Sequence, residues 1–291
     1  MKKNNFCFIE YNGVAYPSEY ESTIKEIAGH LDKENIEDAK SYSLHTEYSY
    51  GKRNLDSVLI SKYEALAEAN KNGVPQLWKS DKWATEFAEF ILELTKSRTA
   101  PRIIETHPPF NDYADLSGFL DCYKRFESRI HEVYPDTQIF IENRSGALYR
   151  GGRFLVSKAE EIVALCERIE CDNVNLGVVL DFPQLLTAER IDPLKFKNEK
   201  YLNAIESIHP YQKTIKGIHI WGKKKSAKGR WTAHVGTLDT YFGDNDESKN
   251  IFISGIERVC DDGRVRFLVP EINSGAEDLA SVMSDLFGNE G

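Results

Sequence analysis

Gln138-Ile139-Phe140-Ile141-Glu142 and Leu176-Gly177-Val178-Val179-Leu180-Asp181 are two short apolar runs, each closed by a carboxylate, with an amphipathic stretch near residues 157–170 between them. A run of five or six residues rich in β-branched and aromatic side chains reads as a strand buried on both faces. The intervening stretch is long enough to be a crossover helix, which is how parallel strands are joined. Residues 138–181 therefore read as one β-α-β unit.

Outward from this unit the pattern repeats. Five further runs have the same character: Phe6-Cys7-Phe8-Ile9-Glu10, Ser41-Tyr42-Ser43-Leu44-His45, Arg102-Ile103-Ile104-Glu105-Thr106-His107, Ile215-Lys216-Gly217-Ile218-His219 and Arg266-Phe267-Leu268-Val269-Pro270-Glu271. Helices are expected near residues 18–31, 57–71, 82–97, 115–132, 157–170, 195–207, 248–260 and 276–287, several opened by Ser or Asp caps. Two of them follow the second run, which marks about 50–98 as a helical insertion. No Pro/Gly/Ser-rich linker or low-complexity segment divides the chain, so residues 1–291 are expected to form a single domain. Parallel strands can close into a barrel or stay open, and only the barrel brings every strand's C-terminal end to one mouth. The expectation is an α/β fold, a TIM-type (β/α) barrel with seven clear strands; an eighth strand or a seven-stranded variant stays open.

The bulk properties agree. With 41% hydrophobic and 11% aromatic residues, 291 residues can bury one large core. A formal charge of -9 gives no global attraction to phosphate polymers, so a nucleic-acid contact would need local basic loops. No apolar run is long enough to span a bilayer, and Met1-Lys2-Lys3-Asn4-Asn5 leads into an apolar stretch too short for a signal peptide; a cytoplasmic location without a membrane partner is expected. The five cysteines (7, 122, 166, 171 and 260) are odd in number and lack paired metal-ligand spacing, so they are expected to be reduced and structural. No Gly-rich phosphate fingerprint, Walker loop or nucleophile elbow appears, and no nucleotide cofactor is expected. Trp78, Trp83, Phe87 and Phe90 fall at helical spacing and read as core or lid packing.

The chemistry lies at the strand ends. Of seven histidines, His45, His107 and His219 each close a run and His234 follows in the next loop, while His30, His131 and His209 fall in helical stretches. Glu142, Asp181 and Glu271 close three other runs. Burying such groups is costly unless each meets a hydrogen bond, an opposite charge or a metal, and one cation can satisfy several together. Mixed imidazole and carboxylate donors suit zinc, manganese or iron better than calcium or magnesium. After His219 comes Trp221-Gly222-Lys223-Lys224-Lys225-Ser226-Ala227-Lys228-Gly229-Arg230-Trp231, a basic loop between aromatics at the expected mouth. Lys223, Lys224, Lys225 and Arg230 could grip a phosphate or a nucleic-acid backbone, with Trp221 or Trp231 stacking on a base or sugar; the plain alternative is a solvated loop. Arg144, Arg150 and Arg153 form a second basic segment.

The order His45, His107, Glu142, Asp181, His219, His234, Glu271, with Glu-Thr-His-Pro-Pro at 105–109, Ile-Glu-Asn-Arg at 141–144, Leu-Asp-Phe-Pro-Gln at 180–184 and Ala-His-Val-Gly at 233–236, resembles the xylose isomerase-like barrel superfamily. The spacing is most similar to the endonuclease IV branch, AP endonuclease family 2. The resemblance spans residues 40–275. It implies one metal held by Glu142, Asp181, His219 and Glu271, and a second held by His45 and His107 with Glu142 bridging. That branch holds a third metal through a His three residues after the strand-end Asp and an Asp-x-His pair; this sequence has Gln184 and Thr232 at those places, so the third site is expected to be absent or altered, and Gln184 joins the expected substrate-binding residues.

Three functions follow from the resemblance. The first is metal-dependent phosphoester hydrolysis of a small anionic substrate or damaged nucleic acid, with Glu142, Glu271 and His234 as catalytic residues and His234 stabilising the leaving oxygen. The second is a sugar or sugar-phosphate isomerase or epimerase, with Glu142 and Glu271 as acid and base. The third is a non-catalytic binding barrel.

Overall fold

The computed structural model describes residues 1–11, 13–28, 40–46, 61–69, 76–149, 151–226 and 228–288. The strands β1 (Phe6–Glu10), β2 (Ile24–Ala28), β3 (Tyr42–His45), β4 (Ile103–Thr106), β5 (Gln138–Glu142), β6 (Gly177–Asp181) and β7 (Ile215–Ile220) precede an antiparallel hairpin of β8 (Lys223–Lys225) and β9 (Trp231–Ala233). β10 (Arg266–Pro270) completes a closed barrel in which β1 to β7 and β10 are parallel, in the order β1-β10-β7-β6-β5-β4-β3-β2. The fold is a TIM-type barrel of eight strands.

The eighth strand is β2, where the sequence reading placed a helix over 18–31. Only a 3-10 turn, Ser18–Tyr20, and then β2 occupy the described part of that span. The reason is geometric: Ile24, Ile27 and Ala28 have helical spacing, but in a barrel strand both faces are covered. Ile24 packs inside the barrel and Ile27 packs in the outer core.

Helices cover the outside: α1 (Glu64–Ala69), α2 (Asp81–Thr95), α3 (Leu116–Val133), α4 (Ala159–Cys171), α5 (Phe182–Ala188), α6 (Asn198–Ile208), α7 (Leu238–Phe242), α8 (Asp246–Val259) and α9 (Ala276–Phe287). Ser80 and Asp115 cap α2 and α3 by accepting from Trp83 N and Gly118 N, as their sequence positions suggest. The short α5 and α7 and the hairpin do not show in the sequence because the helices have only seven and five residues and the hairpin strands three each. Of the expected insertion at 50–98, residues 50–60 and 70–75 lie outside the described residues, as do His30 and Arg150. Among the described residues no helix is long and apolar enough to cross a membrane, and all five cysteines are free thiols. Trp78, Trp83, Phe87 and Phe90 are buried in the core that α2 and α3 share with the barrel wall.

The barrel interior explains where the site must lie. Ile9, Tyr11, Ile24, Ile103, Phe140, Val179 and Val269 form a separate apolar cluster with Cys7 and Phe267 against it. Because side chains alternate along a strand, the inward residue two places further on lies one layer higher toward the C-terminal mouth. Two places beyond Ile24, Ile103, Phe140, Val179 and Val269 stand Glu26, Glu105, Glu142, Asp181 and Glu271. Gly177 makes the lower layer possible, since a Cβ there would lie 2.5 Å from Phe140 Cδ1.

At the opposite end, Arg266 is buried at the start of β10, donating to Asp262 Oδ1 at 2.8 Å and to Gln212 O at 2.9 Å. Partial burial works against the Asp262 charge, but Arg266 and Arg264 overcome it and hold the carboxyl well below its usual range. A depressed folded-state value stabilises the protein above the unfolded carboxylate range and loses that contribution as pH falls. Asp262→Asn is therefore expected to lower stability at pH 7 by on the order of 3 kcal/mol, with the gap to wild type narrowing below about pH 4. Denaturant unfolding at pH 7 and pH 3.5 checks this; an equal gap at both would contradict it.

Candidate functional site

Five carboxylates and three imidazoles meet at the C-terminal mouth: Glu26, Glu105, Glu142, Asp181 and Glu271 with His45, His107 and His219, all buried. Their ligating atoms fall into four overlapping groups: His45, His107 and Glu142; Glu26, His45 and Glu271; Glu105, Glu142 and His219; Asp181, His219 and Glu271. All six residues expected to hold metal are thus gathered in one place. Glu26 and Glu105 were not among them. Glu105 stood in the string at 105–109, but placing the strand end at His107 hid that both residues point inward, two apart. Glu26 was hidden by the reading of β2 as a helix.

Within the cluster two kinds of spacing occur. His45 Nδ1 lies 2.8 Å from Glu26 Oε1, a hydrogen bond that fixes the ring. Its other nitrogen, Nε2, lies 3.3 Å from His107 Nε2, 3.3 Å from Glu142 Oε2 and 3.6 Å from Glu105 Oε1. His107 Nε2 also touches Glu142 Oε2 directly. His219 Nε2 is 3.3 Å from Glu105 Oε1, and its Nδ1 is 3.4 Å from Glu271 Oε1 and 3.8 Å from Glu142 Oε1.

The protonation pattern follows from these neighbours. Burial opposes charge on His45 and His219, yet Glu105 with Glu142 and Glu26 for the first, and Glu105 with Glu271 for the second, hold both well above the ordinary imidazole value. Burial and the Arg144 guanidinium push His107 the other way. Burial would raise Glu142 and Glu271, but His107 and His45 around the one, and His219 and His234 around the other, keep both well below the carboxylate range. Asp181 rises through burial and the repulsion of Glu142 and Glu271. Protons on imidazoles thus balance carboxylates that a cation could balance instead.

The surrounding residues orient the cluster. Asp181 caps α5, accepting from Gln184 N through Oδ1 at 2.8 Å, while its Oδ2 accepts from Trp221 Nε1 at 2.7 Å. Asn143 and Asp181 exchange two hydrogen bonds, from Asn143 Nδ2 to Asp181 O and from Asp181 N to Asn143 Oδ1. Gln184 Nε2 donates to Glu142 Oε1 at 3.1 Å. His234, at φ 60°, places Nδ1 3.2 Å from Glu271 Oε2 and packs against the Trp221 ring at 4.7 Å.

The expected substrate-binding residues divide. Arg144 Nη1 lies 3.2 Å from His107 Nε2, and the guanidinium sits over the Phe154 ring. Lys223 is half-buried over the Trp221 and Tyr241 rings, where burial lowers its pKa. Lys224, Lys225 and Arg230 are exposed along the hairpin. Trp221 departs from the stacking role expected of it: its ring is buried and its donor is committed to Asp181, so Trp231, 42% exposed, is the aromatic left open at the hairpin. The basic segment is an ordered hairpin where it is described. Arg153 is exposed.

The donor set fits divalent metal ions. Glu26 Oε2, Glu105 Oε1 and both His219 nitrogens are buried without a hydrogen bond among the described residues, a state that is costly unless a cation completes them. Fold and site together define a TIM-type barrel with a buried imidazole and carboxylate pocket at its C-terminal mouth.

Solved structures similar to this chain include the crystal structure of AsfvAP:AG, at 14% identity over 85% of this chain and 86% of that chain with a TM-score of 0.52. AP endonuclease, family 2, from Brucella melitensis is similar at 11% identity over 90% of this chain and 97% of that chain, TM-score 0.48. The Ignisphaera aggregans GH53 catalytic domain matches at 11% identity over 91% and 73%, TM-score 0.46. At 14% identity the likeness is one of fold; it is the fold that the resemblance to xylose isomerase-like barrels implied. No protein-family model matches the chain, and a search of curated proteins also finds no match.

Proposed function

We propose that the chain is a divalent-metal-dependent phosphoester hydrolase of endonuclease IV-like type, acting on an anionic substrate with two ions, drawn from zinc, manganese or iron. The observation that carries this reading is the charge of the pocket. Five buried carboxylates face two basic side chains at the rim, Arg144 and Lys223. With the imidazoles neutral and the carboxylates ionised, as metal ligation requires, one divalent ion would leave the sum negative, which repels a phosphoester; two would make it positive, which attracts one. Asp181, His219 and Glu271 would hold one ion and His45 and His107 the other, with Glu142 available to both.

Bound ions would supply Lewis acidity toward phosphoryl oxygens. The chain's own groups supply the rest. Arg144, held by stacking on Phe154, would meet the phosphate beside His107. Lys223 would meet it from the hairpin, on the Trp221 side of the pocket. His234, held by Glu271, would donate to the leaving oxygen. Gln184 gives Glu142 a neutral hydrogen bond at the place where the resembling branch has a third-metal His, which supports two ions rather than three.

A second reading, sugar or sugar-phosphate isomerisation or epimerisation, draws on one distance pair: Glu142 Oε1 and Glu271 Oε1 approach the same His219 nitrogen. Assays of the manganese-loaded and zinc-loaded protein on an oligonucleotide with an abasic site, on small phosphodiesters and on ketose phosphates separate the readings. Phosphoester cleavage is expected; ketose interconversion without cleavage supports the second reading, and metal binding without turnover of any of the three points to a binding barrel.

A further inference from the structure

Glu105 has no place in the two ligand sets proposed above. It rises from β4, 97% buried by its 3% exposure, and its Oε1 has no hydrogen bond among the described residues. That oxygen stands between the two histidines of the opposing sets, 3.6 Å from His45 Nε2 and 3.3 Å from His219 Nε2.

These separations carry information. Donors around one tetrahedral ion, with bonds of about 2.1 Å, stand roughly 3.4 Å apart. A hydrogen bond between imidazole and carboxylate is shorter, as His45 and Glu26 show at 2.8 Å; His107 Nε2 and Glu142 Oε2 also touch directly and would have to separate to share an ion. Glu26 therefore has the spacing of a positioning residue that holds the Nδ1 proton of His45 and turns Nε2 toward the pocket. Glu105 has the spacing of a ligand. Glu142 spans a neighbouring interval, with Oε2 3.3 Å from His45 Nε2 and Oε1 3.8 Å from the other His219 nitrogen, Nδ1. Glu105, Glu142 and His219 also form one of the groups whose donor atoms converge.

Resting on the two-ion reading above, we infer that Glu105 is a second bridging carboxylate, so that Glu105 and Glu142 together link the two ion positions. Two bridging carboxylates add hard oxygen donors to the centre, and the pair then favours manganese or ferrous iron over zinc relative to a site with Glu142 alone. They also couple the ions, because each carboxylate would be shared by both positions.

The test uses the full chain and manganese(II). Titration of metal-stripped wild type, followed by calorimetry and by the free-manganese EPR signal, is expected to give two equivalents per chain. The bound pair should show an exchange-coupled EPR spectrum, which two isolated ions would not. Glu105→Gln, matched in shape, should weaken one of the two equivalents by about 10–100-fold and reduce the exchange coupling to that carried by Glu142 alone, while Glu105→Asp should retain more of the coupling. Circular dichroism on both variants confirms the fold, and the weakened equivalent and altered coupling of Glu105→Asp serve as the readout if Glu105→Gln does not fold. Two equivalents and an unchanged coupled spectrum in folded Glu105→Gln would overturn the bridging role and leave the two-ion reading standing. Two uncoupled ions in wild type would do the same. No bound manganese in wild type would overturn both.

Discussion

Glu142→Gln is expected to lower turnover by at least about 10³-fold, as the loss of several kcal/mol of transition-state stabilisation requires, and to reduce bound divalent metal below two equivalents per chain. Glu142 stands at the centre of the pocket: its two oxygens face His45, His107, His219, Gln184 and Arg144. The amide keeps the volume and can still accept from Gln184, so the fold is expected to survive. What it loses is the negative charge that His107, His45 and His219 stabilise and that both ions would share. Steady-state kinetics and metal analysis on the same preparation check the result, and a variant with wild-type turnover would contradict it.

Trp78→Ala is expected to destabilise the protein by about 3–5 kcal/mol and to lower the melting temperature by roughly 10 °C. Trp78 is buried and meets the rings of Trp83, Phe87, Phe119, Tyr123 and Phe126, joining α2 to α3. Its φ of 59° is a left-handed backbone that costs a bulky residue about 1–2 kcal/mol, so the packing must outweigh that strain. Its indole N–H donates to the His107 carbonyl at 2.7 Å, which ties this core to the pocket. Trp78→Phe keeps much of the packing but not the donor. It is expected to cost less, about 1–3 kcal/mol, while metal affinity falls because the His107 backbone is less firmly held. Thermal unfolding with and without manganese separates the two effects; equal metal-induced stabilisation in wild type and Trp78→Phe would show that the indole supports only the core.

Much of this arrangement is legible before any coordinates. The apolar runs ending in His45, Glu142, Asp181 and His219 mark their strands because parallel strands in a barrel are buried on both faces and the polar residue appears only where the chain reaches the mouth. Glu271 and His107 sit one residue past the end of their strands and are legible for the same reason. What sequence alone hides is direction. Glu105 and Glu26 are indistinguishable from surface glutamates until the two-residue alternation is counted from a known inward residue such as Ile103 or Ile24. The strand holding Glu26 carries apolar residues at helical spacing, so its period points to the wrong element. Trp221 looks like an exposed aromatic next to three lysines, and only the turn of the chain after β7 brings its N–H to Asp181. The Trp78 link to His107 is a long-range hydrogen bond between an indole and a backbone carbonyl, which leaves no mark on residue type.

The central claim is that residues remote in sequence converge on shared cations, and anomalous diffraction from crystals equilibrated with manganese(II) tests it most directly. Two peaks per chain are expected, one bounded by Asp181, His219 and Glu271 and one by His45 and His107, with Glu142 between them. A map with no peak in that pocket, or with ions only at surface carboxylates, would contradict it.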